Sequence, residues 1–190
     1  MHPNLSFEQA PPISVPFRFF LTAPLFGILA GLLLIWLGPE ALASRWSAGT
    51  LALTHLLSVG FLLQAMCGAL LQFIPVISGG NIWRPRLVAG VLHPLLIVAA
   101  LLLAGGFALS RPLWLLIAAS LFGVGLGSFL LIVGLALWRS PAQGPSIRIL
   151  RLALFGLAVT LILGVFLSSA LGGFGHWQID LPLPVLVNVH

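Results

Sequence analysis

The chain has no lysine, no tyrosine, one cysteine and three acidic residues among 190. Only 6% of its residues are charged, against about a quarter in a soluble domain. A water-soluble fold of this length cannot hide so much apolar surface, so lipid must cover most of it. The lone Cys67 excludes an internal disulfide and a thiolate metal cluster. Inside its apolar run it reads as a small buried hydrophobe. Eight arginines against Glu8, Glu40 and Asp180 leave a net charge of +5. They stand singly or in pairs between apolar runs, so no basic face forms and nucleic acid is not a partner. Paired carboxylates, a nucleophile–base arrangement and a phosphate-binding loop are all missing.

Apolar residues make up 60% of the chain, and they come in runs. A membrane span needs about 20 of them. Five stretches qualify, roughly 17–37, 49–77, 87–109, 113–138 and 149–171. A sixth opens at Leu181 and reaches only His190, and ten helical residues cover about 15 Å, half a bilayer. The expectation is an all-α, polytopic transmembrane bundle with five full spans and the start of a sixth. It also suggests a fragment of a longer protein. Residues 1–16, with Pro3, Pro11, Pro12 and Pro16, read as an irregular cytoplasmic leader, and residues 17–190 as the bundle. The first run is too long for a signal-peptide core, and its leader carries Glu8, so it reads as a retained helix.

Orientation follows from the arginines, which favour cytoplasmic loops. Arg18, Arg84, Arg86, Arg139, Arg148 and Arg151 fall on one side, and Arg45 and Arg111 on the other. This predicts an N-terminus in the cytoplasm and a multi-pass protein of a bacterial inner membrane. All six tryptophans lie at or just beyond span ends, as in an aromatic belt. Small residues repeat every fourth position at Gly156, Thr160, Gly164 and Ser168, and again at Gly60, Gln64 and Gly68. Such strips let helices approach closely in lipid, and the first predicts a helix facing Gly156, Gly164 and Ser168.

Polar side chains within spans are costly and mark function by default. Here they are His55, Gln64, Gln72 and His93, with His190 in the sixth run. No Asp, Glu, Lys or Arg lies in a span core, which weighs against an ion-coupled carboxylate site. His55 and His190 fall at similar depth in the outer half of the membrane. Two imidazoles so placed suit a haem iron or a copper, and the competing reading is a hydrogen bond to a neighbouring helix. His93 belongs to the inner half, and Pro94 after it frees the carbonyl of Gly90, which its ring is placed to satisfy. Gln64 and Gln72 read as bridges between helices. His176, beside Trp177, reads as a solvated loop residue.

Two segments add a resemblance. Thr54-His55-Leu56-Leu57-Ser58-Val59-Gly60-Phe61, followed by Gly68-Ala69-Leu70-Leu71-Gln72-Phe73-Ile74-Pro75-Val76, resembles the second helix of subunit I-like proteins of the haem-copper oxidase superfamily. It is also similar to the NnrS family, linked to nitric-oxide metabolism. Val187-Asn188-Val189-His190 resembles the start of a later His-bearing helix. The resemblance implies that His55 is an axial ligand of a low-spin haem and His190 a metal ligand. It further implies a role in respiratory electron transfer or nitric-oxide handling, with copper in the complete protein. The partners would be membrane lipid and the remaining half of the protein or other respiratory subunits. The chain departs from the oxidase pattern in lacking tyrosine, the paired copper-ligand histidines and the late histidine pair that ligates both haems. It is therefore not expected to catalyse alone. The alternative is a non-redox, transporter-like or assembly protein with structural histidines.

Overall fold

The computed structural model describes residues 7–142 and 144–173. A short 3-10 turn, Phe7–Gln9, precedes the first long helix, Ser14–Leu37. The second helix, Ala48–Ser78, is α-helical over Ala48–His55, π-helical over Leu56–Leu62 and α-helical again over Leu63–Ser78. The third is Pro85–Ala108, the fourth Pro112–Trp138 and the fifth Pro145–Leu171. All five are long and apolar enough to cross a membrane. The fold is thus an all-α, multi-pass membrane bundle, with no strand among the described residues. The sixth run, with His190, and the loop bearing His176 and Trp177 lie outside the described residues.

Helix starts follow proline rather than hydropathy. Pro85, Pro112 and Pro145 each occupy the first helical position, where a missing N–H costs nothing and φ is already set. Each helix therefore begins ahead of its apolar run. The first helix likewise takes in Ser14–Pro16 from the expected leader. The second ends at Gly79, whose φ of 66° lets its N–H reach the Pro75 carbonyl at 3.0 Å.

Burial separates core from edge. In the most apolar window of each helix, 39–44% of residues are buried for the second, third and fourth, but 17% for the first and 6% for the fifth. The fifth helix packs on the fourth and turns Ile147, Leu150, Leu154, Leu157 and Leu161 toward the core. Its small-residue strip points elsewhere. Gly156 and Thr160 are exposed, and nothing described lies within 4 Å of where a Gly156 side chain would start. Among the described residues, the expectation that Gly156, Gly164 and Ser168 face another helix thus fails at Gly156, whereas Gly164 and Ser168 are half-buried. Leucines, not the glycine strip, make that helix's contact.

The strip of the second helix does meet a neighbour. A Cβ on Gly60 would lie 2.4 Å from the Phe26 ring, and one on Gly68 would lie 3.0 Å from Phe19 Cβ and the Pro16 carbonyl. The first and second helices therefore run antiparallel in close contact. Phe19, Ala23, Phe26 and Ala30, spaced three and four apart, form the buried seam.

Candidate functional site

His55 closes the first α-helical part of the second helix and is half-buried. Its Nδ1 lies 2.7 Å from the carbonyl oxygen of Leu51, one turn back. A carbonyl only accepts, so Nδ1 carries the proton, and the lone pair of the neutral ring falls on Nε2. The ring stacks on Phe107 of the third helix, with centroids 4.8 Å apart and planes 24° apart. Its orientation is thus held from its own helix and from a neighbour.

A π-helical segment begins at the next residue, and the Leu63 N–H bonds to Ser58 O, five residues back. Thr54 Oγ donates to Thr50 O at 2.8 Å and Ser58 Oγ to Thr54 O at 2.8 Å, while His55 uses Leu51 O. Three carbonyls thus receive side-chain donors, which compete with the regular backbone ladder and bend helices. Short π segments cluster at functional sites. Their wider turn also means that a straight helical wheel does not carry from His55 to Gln64.

An apolar cleft of about 360 Å³ opens between the first, second and third helices, within the usual range for small-molecule sites. Ala52 and Leu56 line it on one side of His55, and Ala104 and Ala108 on the corresponding side of Phe107. The stacked pair itself is not among the lining residues; its sequence neighbours are. Leu32 and Trp36 of the first helix close its far side.

His93 stands toward the other end of the bundle. Its Nε2 is 2.7 Å from Thr22 Oγ of the first helix, and its ring meets Phe19 edge-on at 5.0 Å. Thr22 donates its one hydroxyl hydrogen to Arg18 O at 2.8 Å, so His93 is the donor in the cross-helix bond. The expectation that His93 satisfies the carbonyl freed by Pro94 is corrected. Its ring reaches sideways to another helix because Thr22 offers an acceptor there. Replacing Thr22 with Val removes that acceptor and is expected to cost about 1 kcal/mol, read as a lower unfolding midpoint in detergent. An unchanged midpoint would show the bond to be worth nothing.

Gln64 is fully buried, and neither its Oε1 nor its Nε2 has a hydrogen-bond partner; Gln72 Oε1 is also unpaired. The expected bridging role thus finds no partner for Gln64 among the described residues. Cys67 is a free, fully buried thiol, as read from the sequence. Among the described residues, no three His, Cys, Asp or Glu side chains come together as a metal centre. His190, the second expected ligand, lies outside the described residues. No protein-family model, characterised protein or solved structure matches the chain.

Proposed function

We propose that this is a haem-binding membrane protein, resembling haem-copper oxidase subunit I, that serves respiratory electron transfer or nitric-oxide handling. The observation that carries the reading is the His55 ring. Its Nδ1–H is tied to Leu51 O and its face to Phe107. Metal-ligating histidines are characteristically fixed this way, by a carbonyl on the other ring nitrogen.

The residues fit the group. Leu51 O sets the tautomer, Phe107 limits ring rotation, and an apolar cleft lined by Ala52 and Ala104 lies on the neighbouring face of the same two helices. A bound low-spin haem would supply one-electron transfer. On this reading a second ligand to the iron, and any copper ligand, would come from residues other than those described, with His190 the candidate in this chain. Catalysis belongs to the assembled unit, with other respiratory subunits as partners. Purification of the protein as it exists in its native membrane, followed by an absorption spectrum, is expected to give a Soret band in stoichiometric yield. Its complete absence would defeat the reading.

The second reading, a non-redox transporter-like or assembly protein, draws on His93. There a span histidine serves as a tie between helices through Thr22, and His55 would then be a second such tie.

The proposed location is the bacterial inner membrane with the N-terminus inside, on the arginine distribution. A reporter fused after Asn81 is expected to read cytoplasmic, and a periplasmic reading would reverse the orientation.

A further inference from the structure

The buried amide of Gln64 is the largest polar debt in the described bundle, and its surroundings can be placed. Gly60 abuts Phe26 and Gly68 abuts Phe19. Gln64 lies midway between those glycines, and Thr22 and Ala23 lie midway between those phenylalanines. In antiparallel helices the two midpoints share one level. His93 of the third helix enters at that level, bonded to Thr22 and packed against Phe19. The three helices therefore bring Gln64 to the level of the half-buried Thr22–His93 bond, away from the His55 cleft.

The bonding capacity left at the junction is specific. Thr22 gives its hydrogen to Arg18 O and accepts from His93, so Oγ keeps one lone pair. With its proton on Nε2, neutral His93 has its lone pair on Nδ1. Gln64 brings two N–H donors and a carbonyl acceptor, all unpaired. Buried polar groups are nearly always satisfied, and a water molecule enclosed in protein typically makes about three hydrogen bonds.

We propose that buried Gln64, with half-buried Thr22 and His93, forms a binding site for water, which joins the first three helices through the Gln64 amide. The ligand must both donate and accept, because Gln64 needs one of each, and water does so at the smallest size. The site makes the amide a stabilising link rather than an uncompensated burial.

The sign of one substitution tests this. In a bundle where the amide is unsatisfied, Gln64→Met, of similar length and apolar, raises stability. With water bound, the same change removes the link and lowers the unfolding midpoint in detergent by about 3 °C or more. A raised or unchanged midpoint overturns the proposal. Thr22→Val and Gln64→Met should also be non-additive, with the double variant losing less than the sum; strictly additive shifts overturn it. A high-resolution density map of the unsubstituted protein in lipid nanodiscs needs no variant. Density for water within hydrogen-bond distance of the Gln64 amide is expected. An amide bonded directly to protein, with no such density, overturns the site.

Discussion

His55→Ala is expected to lower haem per protein by at least about tenfold, and to abolish the low-spin spectrum of whatever remains. Loss of even a supporting group around a metal ligand typically costs about 10–100-fold in affinity, and on the proposed reading this change removes the ligand itself. The argument runs through one ring. Leu51 O fixes the proton on Nδ1 and Phe107 fixes the plane, so the donor nitrogen is pre-oriented before any metal arrives. Phe107→Leu keeps the apolar volume but removes the stacking partner, and is expected to broaden the spectrum and loosen haem binding with far less loss. Haem quantitation against protein, with oxidised and reduced spectra, separates the two variants. Equal haem and an unchanged low-spin spectrum in His55→Ala would remove His55 as a ligand. The structural-histidine reading would then stand in its place.

The features legible in the sequence are those that depend on composition and period. Five runs of apolar residues became five helices, with ends within a few residues of those expected. Prolines account for the differences, because hydropathy measures where lipid begins and Pro85, Pro112 and Pro145 determine where the helix begins. The close approach at Gly60 and Gly68 was also legible, since small residues every fourth position leave a groove. The same signal misled at Gly156. A groove says that a helix can be approached, not that a neighbour is there, and the fifth helix has its described partner on its leucine side. The π segment was not legible: side-chain bonds one turn back, as at Thr54, His55 and Ser58, also occur at Thr22, Ser120 and Thr160 in regular α-helix. His93's partner depended on the register of two helices separated by 71 residues in sequence. The full burial of Gln64 depended on the same register.

That register rests on Gly60, where the largest structural effect is expected. A methyl group there would fall 2.4 Å from Phe26 Cδ1, 2.6 Å from Cγ and 3.0 Å from Cβ. The ring tip could swing aside, but Cβ is fixed to the first helix, so only a shift of one helix against the other relieves the clash. Gly60 also sits inside the π segment, whose own geometry resists such a shift. Gly60→Ala is therefore expected to cost about 2 kcal/mol and Gly60→Leu about 3 kcal/mol or more. Gly134, in the fourth helix, supplies the contrast. Nothing described lies within 4 Å of its missing Cβ, and Gly134→Ala is expected to gain up to about 1 kcal/mol from helix propensity alone. Phe26→Ala in the Gly60→Ala background empties the clashing space, so the second change should restore part of what the first removed. Thermal unfolding of the four proteins in one detergent gives the comparison. If Gly60→Ala proves as stable as Gly134→Ala, the first and second helices are not in the close contact described, and the shared level of Thr22, Gln64 and His93 goes with it.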